Sequence, residues 1–311
     1  MSKLFSILAL ILLCSFSDSN DLYAQPDSVY SHFGMIFLDS MVVTASRASF
    51  DTEEFIEMVR KDSSFFESFD NIRKLNYKAN NQLTFVDKKG KQKAAYTSTV
   101  QQYSDGDCRT METLDEQITG NYYKRKKKFR YYTAQMFDQV FLTHGRICAS
   151  KVVEPKNPRG IDKHYIELKK LMFQPGEKVD VPIVGKKMAL FDGKLAKYYN
   201  YSITSDQYNG EIDCYIFTAT VKPEYLEKKE SKTVIKHFQT YFDKSNFNVI
   251  ARNYQMQYYT LVVDFDVTID VKLKKHEDLY VPEFVKYTGN WNIPMKRREI
   301  GEFSIFFYAY R

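Results

Sequence analysis

Three aspartates in one alternating segment are the residues of this chain best placed to do chemistry. Asp264, Asp266 and Asp270 alternate with apolar residues, so one face of a strand is expected to carry all three carboxylates. The nearer pair would lie about 7 Å apart. That spacing suits a calcium site or two-carboxylate hydrolysis. A strand with one apolar face also needs a solvated face, and this simpler interpretation is preferred.

A dense run of positive charge between residues 124 and 130 is the second candidate. Basic residues interleaved with aromatics are typical of surfaces that bind phosphate groups of nucleic acids or membranes. For an exported chain, an anionic membrane surface is the expected partner and nucleic acid is not. A solvated loop or a lysine-protected edge strand is the alternative. The predicted anionic-surface residues are Lys124, Arg125, Lys126, Lys127, Lys128 and Arg130.

Sequence signatures of catalysis and metal binding are missing. The five histidines are far apart, and none belongs to an HExxH or paired His/Cys motif. The sequence also lacks GxSxG, P-loop and GxGxxG patterns. We therefore predict that the protein is not an enzyme and has neither a metal site nor a cofactor.

The amino terminus predicts export. Lys3, an apolar run from Leu4 to Leu13 and a polar stretch ending at Gln25 form the pattern of a signal peptide, too short to span a bilayer as a helix. We predict a signal peptide over 1–25 and a single domain over 26–311, in the periplasm or cell envelope or secreted. Lipidation of Cys14 is the alternative, although Leu13 precedes it where a small residue is usual.

Three cysteines remain after that cleavage. In an oxidising compartment Cys108, Cys148 and Cys214 allow one disulfide and one free thiol. Three buried, reduced cysteines are the other possibility. The spacing does not select a pairing.

Elements that would position these residues follow from periodicity and turn residues. Apolar spacing predicts helices over 52–75, 108–120 and 233–242, the first with a phenylalanine face on the sheet. Residues 35–44, 131–140 and 179–184 are expected to be extended. Hairpins are predicted over 77–103 and around Asn209-Gly210, because this dipeptide tolerates the positive φ of a type I′ turn.

The clearest periodic element is the segment 261–273, in which apolar residues occupy every odd position. At about 3.3 Å per residue it would be on the order of 40 Å long, about twice the usual length of a strand. A long strand with one dry face implies a strongly curved sheet. The predicted fold class is therefore α+β, with a strongly curved antiparallel sheet, or half-barrel, covered by a few helices.

Part of this pattern resembles a known family. An aromatic-Asp turn, Tyr241 to Phe247, leads into long strands beginning at Val249. Residues 205 to 275 are similar to the half-barrel of periplasmic lipoprotein carriers and outer-membrane lipoprotein-sorting proteins. The resemblance implies a concave sheet that holds acyl chains beneath helices. Separately, Phe50 to Leu75 and the Tyr-x-Gly-x-Trp-x-Ile-Pro segment around Trp291 resemble uncharacterised exported proteins of Bacteroidota.

These observations predict an envelope protein that binds an apolar ligand, a lipid or a lipoprotein acyl chain, in the concave sheet. The predicted ligand-binding residues are Phe265, Val267, Ile269 and Trp291. Trp291 is expected near the mouth, with the plugging of a core end as its simpler role. The alternative function is a non-catalytic structural or interaction module whose core is filled.

Overall fold

The structure is a computed structural model that describes residues 52–148, 173, 175–176, 185–226, 232–259, 264–292 and 298–311. The predicted signal peptide and the predicted extended segments at 35–44 and 179–184 lie outside these residues. In the described part of the chain no helix combines the length and the apolar character needed to cross a membrane.

Helices and short 3-10 turns alternate with strands along the chain. The helices are α1 (Thr52–Lys61), α2 (Ser64–Asn71), α3 (Tyr132–Phe141), α4 (Gly193–Ala196) and α5 (Pro223–Leu226). The 3-10 turns are Ile72–Lys74, Arg125–Lys127 and Gly185–Lys187. The strands are β1 (Tyr77–Val86), β2 (Gln92–Asp105), β3 (Cys108–Gly120), β4 (Ile147–Cys148), β5 (Tyr199–Tyr208), β6 (Ile212–Val221), β7 (Ile235–Asp243), β8 (Val249–Tyr259), β9 (Asp264–His276), β10 (Leu279–Asn292) and β11 (Glu299–Tyr308).

Within the described ranges these strands form one open antiparallel sheet in the order β4-β3-β2-β1-β11-β10-β9-β8-β7-β6-β5. Within this sheet β1 pairs with β11. On each side of that pair, every strand lies beside the strand that is next to it in the chain. The helices pack on one face of this sheet. The predicted fold class, a curved antiparallel half-barrel covered by a few helices, is confirmed.

The long alternating strand is present as β9. Its residues alternate between buried odd positions and half-buried even positions from Asp264 to Lys274. The predicted residues 261–263 lie outside the described part. The two predicted hairpins are also confirmed, and Asn209 and Gly210 have φ values of 55° and 73°, as a type I′ turn requires.

The helix prediction over 52–75 is confirmed as α1, α2 and a 3-10 turn, but three other assignments are wrong. Residues 233–242 contain β7, where Lys236 and Thr240 lie buried among the phenylalanines and hide the alternation. Residues 108–120 form β3, whose last nine residues are exposed, so that the helical spacing of Leu114 and Ile118 does not mark a buried face. Residues 131–140, expected to be extended, lie in the helix α3 from Tyr132 onward.

The cysteine pairing that the sequence left open is resolved. Cys108 and Cys148 form a disulfide that joins β3 to the two-residue strand β4, directly opposite each other in register. Cys214 is a buried free thiol, and burial raises its pKa to about 11. A structural disulfide is typical of proteins that work in oxidising compartments, which agrees with the predicted export.

Candidate ligand-binding face

One face of the sheet carries a continuous apolar row that crosses eight strands. The helices lie on this face, which we call the helix-covered face. Cross-strand register places the members of the row side by side, and none is more than 5% exposed. In sheet order, from β6 to β2, the row consists of Ala219, Phe238, Tyr254, Ile269, Tyr287, Phe303, Leu83 and Tyr96.

The four predicted ligand-binding residues lie together on this face. Phe265, Val267 and Ile269 are 6%, 1% and 1% exposed. Trp291 on β10 is half-buried, faces Phe265 in register and stacks on its ring with centroids 4.9 Å apart. Its indole N–H donates to the hydroxyl of Tyr287. The structure therefore brings the predicted residues into one cluster, in which protein already covers the three β9 side chains.

A glycine makes room for the large rings of this face. A Cβ on Gly301 would lie 2.7 Å from the ring of Phe85, closer than real contacts allow. Phe85 therefore lies across Gly301, and Tyr131 stacks on its other side with centroids 3.9 Å apart. The glycine of β11 thus allows three layers, backbone and two aromatic rings, to stack at this end of the sheet.

Three short helices cover the face. From α1, Phe55 packs edge-on against Phe242 with ring centroids 6.1 Å apart. From α3, Phe137 packs against Phe303 at 5.3 Å. The carboxylate of Glu299 on β11 accepts hydrogen bonds from the backbone N–H groups of Tyr132 and Thr133 at 2.7 and 2.8 Å. A negative group at a helix start is favourable, so β11 fixes where α3 begins.

A buried ion pair attaches the junction of α1 and α2 to the sheet. The Arg252 guanidinium of β8 lies 3.4 Å from the Asp62 carboxylate, with both side chains less than 8% exposed. Arg252 also donates to the Thr240 hydroxyl at 2.9 Å, and its guanidinium lies 4.2 Å from the Phe65 ring centroid. Burial lowers the pKa of Arg252 and Asp62 opposes this shift. Sequence analysis did not identify either residue.

A small, partly open cavity of about 10 Å³ lies beside α3 and has room for about one water molecule. It is lined by Tyr96, Tyr122, Tyr123, Phe129, Phe137, Asp138 and Leu142. A wider surface concavity of about 450 Å³ lies at the opposite end of the strands, where Glu211, Asp213 and Asp243 make it polar. Its character does not suit an apolar ligand.

The three aspartates lie on the other face, which we call the polar face. Asp264 forms an ion pair with Arg298, in which one guanidinium nitrogen donates to both carboxylate oxygens at 2.7 and 2.8 Å. Asp266 accepts from Gln257 at 2.9 Å, and Asp270 accepts from the Asn253 amide. A neighbouring side chain is thus hydrogen-bonded to each of the three carboxylates.

Asp107, Cys108 and Cys148 bring three atoms of the kinds that bind metals, one carboxylate oxygen and two sulfurs, within 4.8 Å of one another. Both sulfurs belong to the disulfide, so neither is a thiolate that could bind an ion. This group is therefore not a metal-site candidate.

The predicted anionic-surface residues form a closed loop, Lys124 to Arg130, which we call the basic loop. Its backbone is closed by a hydrogen bond from Lys124 N–H to the Lys128 carbonyl at 2.7 Å. All six of its cations are exposed. At its base Tyr122 is 2% exposed and stacks on Tyr96 with centroids 5.3 Å apart. The basic loop thus has a defined backbone, and the buried ring of Tyr122 attaches its base to the core.

Comparisons with known proteins give only distant likenesses. No family model and no curated protein matches the chain. An outer membrane lipoprotein-sorting protein domain from Vibrio parahaemolyticus is 9% identical with a TM-score of 0.29, covering 84% of this chain and 93% of that one. A DUF1329 family protein from Desulfovibrio piger is 11% identical with a TM-score of 0.24, covering 78% and 88%. A lipovitellin structure is 8% identical with a TM-score of 0.27, covering 76% and 25%.

Likenesses this distant say nothing about a ligand. The fold class rests on the strand order and register described above, and the resemblance to Bacteroidota proteins stays a prediction.

Proposed function

We propose that this protein binds an apolar ligand, a lipid or a lipoprotein acyl chain, between its sheet and its helices in the cell envelope. The observation that carries the proposal is the continuous apolar row across eight strands. Short, separate helices cover it, whereas in a sandwich a second sheet would do so. An acyl chain lying along such a face would exchange helix contacts for ligand contacts at little loss of buried apolar area.

Ligand entry would require the helices to separate from the sheet. The junction of α1 and α2 is attached to the sheet by discrete polar contacts, beside the packing of Phe55 and Phe65. They include Asp62 with Arg252 and the hydroxyl of Ser64, which accepts from the Val249 N–H at 3.0 Å. Contacts of this kind can break and re-form as a unit, so α1 and α2 are the elements proposed to move.

The single tryptophan is a built-in reporter, because Trp291 stacks on Phe265 within the predicted cluster. Delipidated protein should show quenching of Trp291 fluorescence by dibrominated stearate, while plain stearate causes none. Stearate should also raise the Tm, and mass spectrometry of protein purified without delipidation should find bound lipid. Absence of all three effects would overturn the proposal.

A second function is favoured by a specific observation, the close packing of the same face. Phe265, Val267 and Ile269 are already buried by protein, and the small cavity beside α3 has room for only about one water molecule. A non-catalytic structural or interaction module of the envelope, with a filled core, would look like this. In that case neither stearate nor its brominated form should change the Tm or the fluorescence.

A further inference from the structure

We propose that one corner of the sheet, built from two lysine-rich turns, docks the protein on a membrane surface that contains anionic phospholipid. The first turn is the basic loop. The second joins β1 to β2 and contributes Lys88, Lys89 and Lys91. The docking extends the proposed function, because a carrier of lipid must meet a membrane, but the two can be tested apart.

The topology brings these turns together although about 33 residues separate them in the chain. β3 pairs with β2 so that Gly120, just before the basic loop, lies opposite Ala94. The Asn121 N–H donates to the Lys93 carbonyl at 3.0 Å, which ties the start of the basic loop to the start of β2. A Cβ on Gly120 would lie 2.2 Å from that same carbonyl, so glycine permits the close approach.

The corner is strongly and openly positive. All nine cations of the two turns are exposed. The acidic residue of the two turns is Asp87. Its carboxylate pairs with Lys93 at 2.9 Å and accepts hydrogen bonds from the backbone N–H groups of Lys89 and Lys91, so it is engaged by its own turn. The nine cations are Lys88, Lys89, Lys91, Lys124, Arg125, Lys126, Lys127, Lys128 and Arg130.

The backbone of the basic loop holds its charges in a fixed arrangement. Lys126 and Lys127 have φ values of 61° and 54°, a region that costs energy for residues other than glycine. The hydrogen bond from Arg130 N–H to the Tyr122 carbonyl and the bridge between Tyr123 and Phe129 hold the base of the loop. A solvated linker would not need such a framework, whereas a docking surface gains from one.

The surroundings favour lipid phosphate over nucleic acid. Single-stranded nucleic acids are bound by exposed aromatic side chains on which bases stack. Here Tyr122 is buried, and Tyr131 is half-buried with its ring stacked on Phe85. The rings of Tyr122 and Tyr131 therefore support the core and are not free to stack on bases.

The corner also lies at the same end of the strands as Trp291, the residue expected near the mouth of the binding site. β1 ends at Val86, opposite Ile300 near the start of β11, and β10 reaches Trp291 at the same end. Docking through the basic corner would therefore bring the end of the sheet that carries Trp291 and Phe265 toward the membrane.

The test is co-sedimentation of the delipidated full chain with vesicles of pure phosphatidylcholine or of phosphatidylcholine with about one-third phosphatidylglycerol. We expect binding to the anionic vesicles only, lost when salt is raised several-fold. Each lysine near such a surface contributes roughly fivefold in affinity. The triple variant Lys124→Gln, Lys126→Gln, Lys127→Gln should therefore bind about a hundredfold more weakly.

The matched control is Lys61→Gln, Lys74→Gln, Lys275→Gln, which removes the same charge from exposed positions at the opposite end of the strands. Equal loss in both triple variants, or equal binding to both vesicle types, would overturn the docking. Binding of a single-stranded oligonucleotide with no binding to vesicles would also overturn it. Stearate quenching is measured without vesicles, so either proposal can fail while the other stands.

Discussion

The two faces of the strands β8 to β10 satisfy their charges in different ways. On the polar face, Asp266 and Asp270 are bonded by amides of β8, their neighbour in the sheet, so these contacts form with strand pairing. On the helix-covered face, Arg252 finds its carboxylate in Asp62, between α1 and α2. The difference teaches that the polar face is complete once the sheet exists, whereas the covered face is complete only when the helices have docked.

The largest effect should come from breaking that docked contact. Replacing Asp62 with Ala leaves the Arg252 charge buried without its carboxylate, which should cost about 3–5 kcal/mol in the free energy of unfolding. On the polar face, Asp264→Asn removes an ion pair that is partly exposed and should cost about 1 kcal/mol or less. Urea unfolding of the two variants measures the difference.

A double variant sharpens this result. Asp62→Leu with Arg252→Met removes both charges, and apolar replacements of a buried pair are often neutral or stabilising. It should recover most of the stability lost in Asp62→Ala. If Asp62→Ala costs no more than Asp264→Asn, the pair is not what attaches the α1 and α2 junction.

A smaller difference in the free energy of unfolding is expected between neighbouring positions of β9 that lie on opposite faces of the sheet. Ile269→Ala on the helix-covered face should cost about 2–5 kcal/mol, because it removes a buried side chain from the apolar row. Thr268→Ala on the polar face should stay within about 0.5 kcal/mol of the parent protein. Equal losses in urea unfolding would mean that the row is not the main core of the sheet.

Sequence patterns predicted the parts of this molecule whose residues follow a simple period. The alternation in β9 and the turn at Asn209-Gly210 identified strands correctly, because local chemistry and tertiary burial agree there. In β7 a buried lysine and a buried threonine broke the period, so the remaining apolar residues matched a helix. In β3 the last nine residues are exposed, so the helical spacing of Leu114 and Ile118 does not mark a buried face.

The candidate sites show the same limit. Phe265, Val267, Ile269 and the six cations of the basic loop were found from local pattern. The Asp62 and Arg252 pair was not, because 190 residues separate its members and neither belongs to a motif. The partnership of the two lysine-rich turns also depends on strand order, since only pairing of β2 with β1 and β3 brings them to one corner.

The smallest predicted effect concerns the other buried cation among the described residues, Lys236, at the start of β7. Burial, with a contribution from the nearby charge of Lys187, lowers its pKa from 10.5 to about 8. Its amine donates to the Thr233 carbonyl at 2.9 Å, which offsets part of the cost. Between pH 8 and 10.5 the unfolded chain binds more protons at this position, so stability rises with pH in that window.

Lys236→Met should therefore be more stable than the parent protein below pH 8, by about 1–2 kcal/mol, and its advantage should vanish by pH 10.5 as the parent lysine loses its proton. Buried tyrosines titrate in both proteins, so the difference between their unfolding free energies isolates Lys236. Exposed Lys275→Met should show no such slope. A constant difference from pH 7 to 10.5 would mean that folding does not lower the pKa of Lys236, and that burial at the start of β7 costs its charged amine nothing.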